Sequence, residues 1–368
     1  MVPFPVKYGT IYGKRGSMMR KFDYSKLANT SYNVRIINLL TSIHEAKGRQ
    51  EQYLSQEPEE LQRLVEIAKV QSVESSNAIE GIRTSSTRIG QLVKEKTTPK
   101  NRDEEEIAGY RDALNLIHES FDVIPLKVNY ILQLHRILFA HVRNASHAGK
   151  FKTAENFIQG TKGSGESFII FKPLAPYETP LAMENLCEAY NQALADGKVD
   201  PLLLIPVFIH DFLCIHPFLD GNGRMSRLLT ALLLYRSGYF VGRYISLEAK
   251  INSIKDLYYD ALQESQEGWH EGKEDPSPFI QFSLSILNMA YMDFEKRRDL
   301  VLGKKTAIAM VLAVINDKMG KIRKKDLEEV CPSLSSSSIE KALQALVARG
   351  LLTKHEAGRS TYYLKTEK

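Results

Sequence analysis

PLLLIPVFIHDFLCIHPFLDGNGRMSRLLTALLLYR, residues 201–236, is the stretch on which the architecture turns. From Pro201 to Ile215 it is apolar on nearly every face, as a central buried helix should be. Pro206 is expected to kink or restart that helix. A second helix is expected from Arg224 to Tyr235. Both flanks exceed strand length and keep apolar residues at helical spacing, so the Asp-Gly and Asn-Gly steps between them do not read as a hairpin turn.

The loop between these helices carries chemistry. Asp220-Gly-Asn-Gly223 has two glycines free to adopt positive φ, so successive N–H groups can converge on an anion. A helix N-terminus follows at once, where the macrodipole favours a phosphate. Arg224 and Arg227 are three apart, on one helix face, and can reach the same polyphosphate. Asp220 is placed to hold a Mg²⁺ that bridges phosphates. His216, just before this nest, has a near-neutral pKa suited to removing a proton.

Outward from this centre the chain reads as mainly helical. Upstream helices are expected within Leu27–Leu92, with a start at Pro58-Glu59 and an end at Gly81, then at Arg102–Ser120 and Lys127–Val142. Between Gly149 and Pro180 helical periodicity stops. Phe157, Ile158 and Phe168 to Phe171 then flank a turn-rich Gly160-Thr-Lys-Gly-Ser-Gly165, which reads as a β-hairpin. That tip matches neither common phosphate-loop pattern. Helices resume at Leu181–Asp196, Leu247–Gln266 and Pro278–Lys296.

Bulk composition narrows the function classes. The 368 residues, 43% hydrophobic and 25% charged, suit a globular protein of two or three domains. No run approaches a membrane span, and the first twenty residues (with Lys7, Lys14, Arg15 and Arg20) lack the apolar centre of a secretory signal. Cys187, Cys214 and Cys331 are few, odd in number and far apart, which argues for a reducing cytoplasmic location and buried thiols. His135, His141 and His147 are spaced by six, which scatters them around a helix and offers no metal site. Residues 303–368 hold 13 Lys/Arg against 7 Asp/Glu, so the net charge of +5 belongs to the C-terminal segment.

At His216-Pro-Phe-Leu-Asp-Gly-Asn-Gly-Arg-Met-Ser-Arg227 the chain is similar to the Fic family motif, HPFx[DE]GNGRxxR, at every defined position. Its helical surroundings from about Arg102 to Asn288 resemble the Fic core. The resemblance implies a nucleotidyltransferase that moves AMP from ATP onto a protein hydroxyl and releases pyrophosphate. His216 would be the general base, and Asp220 would ligate Mg²⁺. Gly221, Asn222 and Gly223 would hold the α-phosphate, Arg224 the β-phosphate and Arg227 the γ-phosphate. By motif offset, Tyr258, Tyr259 and Gln266 would face the adenine, although the two tyrosines equally suit the core face of an amphipathic helix. The hairpin from Phe157 to Lys172 resembles the family's flap, which docks a target segment by strand addition. Lys152 stands where many relatives carry arginine, and Pro173-Leu174 replaces their Pro-Pro.

Ser76-Asn-Ala-Ile-Glu-Gly81 is similar to the family's inhibitory motif, [ST]xxxE[GN]. Glu80 falls at the end of a predicted helix, before a glycine cap, where a carboxylate opposes the dipole by about 0.3–1 kcal/mol. Such a placement makes sense if Glu80 meets a cation elsewhere, and the resemblance implies Arg227. After Leu302, helices at Lys305–Asp317, Lys324–Val330 and Ser336–Arg349 precede two short strands around Gly358, which resembles a winged helix-turn-helix. Lys341 and Arg359 would face a nucleic acid if this module binds DNA, and protein docking is the other use of such a fold.

The expected fold class is therefore mainly α: a Fic helical core with an inserted β-hairpin flap, preceded by a helical inhibitory region and followed by a winged helix-turn-helix domain. The expected boundaries are residues 1–100, 101–300 and 301–368. Removal of AMP, transfer of another nucleotide, and a nucleotide-sensing DNA-binding regulator stay open as alternatives. So do the target residue type (Tyr, Thr or Ser), self-modification and a homodimer. His216 favours catalysis, because sensing alone needs no base.

Overall fold

A computed structural model describes residues 20–56, 58–161, 167–302, 307–318, 320–331, 334–355 and 361–366. The N-terminal Lys7, Lys14 and Arg15, the hairpin tip 162–166, the start of the helix expected at Lys305, and Gly358 and Arg359 lie outside the described residues. Two compact units divide the described chain. One holds the residues up to Glu45 together with Ala68–Ala290, the other Ala46–Ile67 and the residues from Tyr291 onward.

Helices α1 (Val34–Gln56), α2 (Pro58–Ile79), α3 (Ser86–Val93), α4 (Arg102–Ser120) and α5 (Val128–Leu138) precede a hairpin of β1 (Ile158–Thr161) and β2 (Ser167–Phe171). Then come α6 (Thr179–Asp196), α7 (Pro201–Ile215), α8 (Asn222–Arg236), α9 (Leu247–Ser253), α10 (Lys255–Gln266) and α11 (Ser277–Leu302). The unit boundaries fall inside α1, α2 and α11.

In the first unit α7 is the central element, buried from Leu202 to Ile215, with α6 and α8 packed against it. Its length of apolar residues leaves no face for water, so burial on all sides is the stable outcome. Pro206 does not break it; the helix runs unbroken through that position, where dense packing outweighs one missing backbone hydrogen bond. Asp211 on α7 is satisfied in the interior. Tyr24 Oη donates to Oδ2 at 2.8 Å, Trp269 Nε1 to Oδ1 at 2.7 Å, and the Arg20 guanidinium lies 3.3 Å away.

Helix α4 meets the end of α5 at Gly109, where an added Cβ would stand 2.0 Å from the Leu138 carbonyl oxygen. Helix α5 ends at Leu138 rather than Val142, because the chain then folds into turns (Ala140 N to Ile137 O, 3.0 Å; Val142 N to Phe139 O, 3.1 Å) that bury Phe139. The single helix expected from Leu247 to Gln266 is two, broken at Ile254 (φ −131°, ψ 41°). Just before the break the Ser253 hydroxyl donates to the Lys250 carbonyl at 2.7 Å, a side-chain bond that competes with the helical ladder. Strands β1 and β2 pair antiparallel, Gln159 opposite Ile169, with an irregularity between Ile158 and Gln159.

The second unit contains α12 (Ala307–Asp317), α13 (Lys324–Val330), α14 (Ser336–Ala348), β3 (Leu352–His355) and β4 (Tyr362–Lys365). Val311, Ile315, Leu327, Ile339, Leu343 and Leu346 form its core. Strands β3 and β4 pair antiparallel, and Ile322 bridges Tyr363 as a third edge. Ser335 caps α14, its hydroxyl accepting from Ser338 N at 3.1 Å. Among the described residues no helix is long and apolar enough to cross a membrane. All three cysteines are buried free thiols.

Candidate active site

Helix α7 terminates at His216, whose N–H bonds to Phe212 O at 2.9 Å and whose backbone is left-handed (φ 51°, ψ 61°). That conformation costs a residue with a side chain about 1–2 kcal/mol. It swings the imidazole back over the last helical turn, so that Nδ1 lies 3.2 Å from the Leu213 carbonyl oxygen. A carbonyl only accepts, so Nδ1 carries the proton and Nε2 keeps its lone pair. Burial, then the neighbouring Lys152 ammonium, push the imidazole down to about 4, below the near-neutral value expected from sequence. The ring is therefore neutral at physiological pH.

Gly221, left-handed at φ 82°, opens α8. Asn222 closes the loop on itself: its Oδ1 accepts from Phe218 N at 2.9 Å and its Nδ2 donates to Phe218 O at 2.8 Å. What Asn222 offers a ligand is its backbone N–H rather than its side-chain amide. Asp220 accepts from Gly221 N through Oδ1 at 2.6 Å, and its carboxylate is 44% exposed.

Both loop arginines are already braced. Arg224, 1% exposed, donates through Nη1 to Glu106 Oε2 at 2.6 Å, while Arg102 donates to the other oxygen of Glu106 at 2.8 Å. Arg227, 4% exposed, donates through Nε to Ser76 Oγ at 2.8 Å, and through Nη2 to Ser76 O at 2.9 Å and Glu80 Oε1 at 2.7 Å. Helix α2 ends here in two reverse bonds, Ile82 N to Asn77 O and Gly81 N to Ala78 O, with Gly81 at φ 84°. This glycine-capped termination holds Glu80 at the helix edge. Its carboxylate covers the mouth of α8, where a Cβ on Gly223 would come 2.2 Å from Glu80 Oε1.

One cavity of about 460 Å³ brings these groups together. Glu80, His216, Asp220, Gly221, Asn222, Gly223, Arg224, Arg227, Tyr258, Tyr259 and Gln266 all line it; Ser76 lies behind, against Arg227. The volume falls within the range of ligand pockets. A neighbouring apolar cavity of about 70 Å³ is too small for a nucleotide. Tyr258 also packs on Phe279 and Phe282, so it serves the core and the cavity wall together. Ile158 and Ile170 of the hairpin line the cavity as well, while Phe168 and Ile169 are exposed.

Two contributors were not singled out from sequence. Glu106 braces Arg224 from α4, 118 residues away, and no local pattern marks it. His135, fully buried, donates through Nε2 to Asp220 O at 3.0 Å, accepts from Gly149 N at 2.9 Å and stacks on Phe218 at 3.8 Å. Its place among Ile131, Leu134 and Leu138 on the buried face of α5 was the available signal. Among the described residues no cluster of three or more His, Cys, Asp or Glu can hold a metal.

A family model described as Fic/DOC matches residues 125–234, which contain this loop, all of α7, and α8 up to Leu234. A Fido domain-containing protein of Dictyostelium discoideum is 30% identical over 109 residues, 30% of this chain and 69% of its own length. The chain belongs to the Fic/DOC family. A Nematostella vectensis protein named protein adenylyltransferase Fic is 25% identical over 234 residues, 60% of this chain and 48% of its own. The chain thus spans about half the length of that curated relative. In fold it is similar to a Fic family protein from Desulfovibrio desulfuricans, with TM-score 0.58 at 20% identity over 92% of this chain and 98% of that one.

Proposed function

We propose that the chain transfers AMP from ATP to a hydroxyl of a target protein, and that Glu80 holds this reaction off. The observation that carries the reading is a neutral imidazole with a free Nε2 sharing one cavity with a glycine-lined helix mouth and two buried arginines. In the reaction, the target oxygen attacks the α-phosphorus as His216 Nε2 takes its proton, and the bond to the β-phosphate breaks to release pyrophosphate. Backbone N–H groups of Asn222 and Gly223 face the α-phosphate, while the Gly221 N–H is held by Asp220 Oδ1; Arg224 serves the β-phosphate and Arg227 the γ-phosphate. The protein's task is mainly position and charge.

A magnesium ion fits the residues present. Asp220 is a half-exposed carboxylate at the cavity wall, and a single carboxylate with substrate phosphates and water is the usual magnesium donor set. When bound it would neutralise phosphate charge.

Glu80 opposes the reaction in two ways. It occupies Arg227, and its carboxylate sits against Gly223 where an anionic substrate group would rest. The hairpin would present the target segment along its exposed Phe168 and Ile169. The second unit's order of three helices and a hairpin, bridged through Ile322 and Tyr363, supports reading it as a winged helix for docking to protein or DNA.

Intact-mass spectrometry after incubation with ATP and Mg²⁺ tests the proposal. Glu80→Gly should gain the mass of AMP on itself or on an added target, and Glu80→Gly with His216→Ala should gain none while still binding ATP. No gain in Glu80→Gly over wild type would remove the brake assignment. A different added mass would replace AMP with another nucleotide.

A further inference from the structure

The left-handed backbone at His216 is held by two buried side chains outside the loop. Lys152 is 2% exposed and Asn156 3%. Lys152 Nζ donates to the Ile215 carbonyl at 2.9 Å, and its backbone N–H donates to the Pro217 carbonyl at 2.8 Å. Asn156 Nδ2 donates to the carbonyls of His216 at 3.2 Å and Phe218 at 3.0 Å. Lys152 Nζ also donates to Asn156 Oδ1 at 2.9 Å, joining the two. Four consecutive carbonyls, 215 to 218, are thus gripped by one five-residue segment.

The grip has a physical purpose. A residue before proline avoids the right-handed helical region, so His216, followed by Pro217, chooses between left-handed and extended. Extended backbone is intrinsically favoured for a residue with a side chain. It would rotate the His216 carbonyl away from Asn156 and lift the ring from Leu213. Lys152 also brings its amine to the C-terminus of α7, where carbonyls without helical partners favour a cation, against burial that pushes the amine down to about 7.

We propose that Lys152 and Asn156 are positioning residues for His216: by clamping these carbonyls they hold the left-handed turn, and through it the imidazole tautomer and the aim of Nε2. The proposal rests on the general-base reading of His216. Neither side chain touches the substrate in this scheme.

The test uses Glu80→Gly as parent, with Asn156→Ala, Lys152→Met and Lys152→Arg added singly. Long-range ¹H–¹⁵N NMR, assigned by loss of signal in His216→Ala, reads the ring directly. The parent should show the Nδ1–H tautomer alone, and Asn156→Ala and Lys152→Met a mixture. In both, kcat for AMP transfer should fall about tenfold or more with KM for ATP within about twofold, since the lost aim is felt in the transition state. Lys152→Arg should restore both readouts. Should Lys152→Met fail to fold, Asn156→Ala carries the comparison with charge unchanged. A single tautomer in folded variants, or loss of ATP binding in step with kcat, overturns the clamp. Absence of transfer in the parent counts against the AMP-transfer reading alone, and the tautomer still decides the clamp.

Discussion

Ser76 offers Arg227 both its hydroxyl and its carbonyl, so the contact on which the proposed inhibition rests is wider than one ion pair. Removing the hydroxyl leaves a buried guanidinium N–H without a partner, which costs about 1.5–3 kcal/mol for a bond to a charged group. Ser76→Ala is therefore expected to lower stability by about 2 kcal/mol and to release part of the AMP transfer that Glu80→Gly releases. Urea denaturation and α-labelled ATP read the two effects, and a stable variant with unchanged basal transfer contradicts the prediction. At this scale the sequence was informative where residue type limits the outcome. Glycines 221 and 223 and the glycine at 81 are placed where a side chain would strain or clash, and such needs are visible in one dimension. The direction in which Asn222 turns its amide was not, because it depends on where Phe218 lies.

Helices α4 and α5 supply Glu106 and His135, and both are fixed by the crossing at Gly109. A methyl group there meets backbone, not a movable side-chain end, so the helices must separate. Gly109→Ala should cost about 1–3 kcal/mol and weaken ATP binding, as measured by denaturation and calorimetric titration. Gly90→Ala on α3 is the control, since open space surrounds an added Cβ there. It should leave both measurements unchanged or add up to about 1 kcal/mol of stability. Equal behaviour of the two variants contradicts the argument. The α7 and α8 flanks were readable because an all-round apolar helix has few structural solutions. The break at Ile254 and the early end of α5 were not, since Ser253 and Phe139 look ordinary until their partners are known.

Across the first unit, His118, His135 and His210 are buried, and burial pushes their imidazoles down to about 3, 4 and 3 respectively. The unfolded chain takes up protons near pH 6.5, where the folded unit refuses them. Stability is then present above that value and lost as pH falls towards 4, by up to about 1.4 kcal/mol per pH unit for each histidine. Asp211, pushed up to about 6 by burial, works the other way, one carboxyl against these three imidazoles and that of His216, which is held down to about 4 likewise. The urea midpoint should fall steadily between pH 6.5 and 5, and a flat profile by circular dichroism contradicts this account. By itself the sequence determined the helical class and picked out the run from His216 to Arg227 as the candidate site, because spacing within a loop and the first turn of a helix fixes which groups share a face. The Glu80–Arg227 pair was implied by the family resemblance, but tertiary structure alone decided the other partners: Arg227 with Ser76, 151 residues away, Arg224 with Glu106, and His135 with Asp220. Local pattern constrains neighbours within a turn or two; partners so far apart along the chain meet only once the helices have packed.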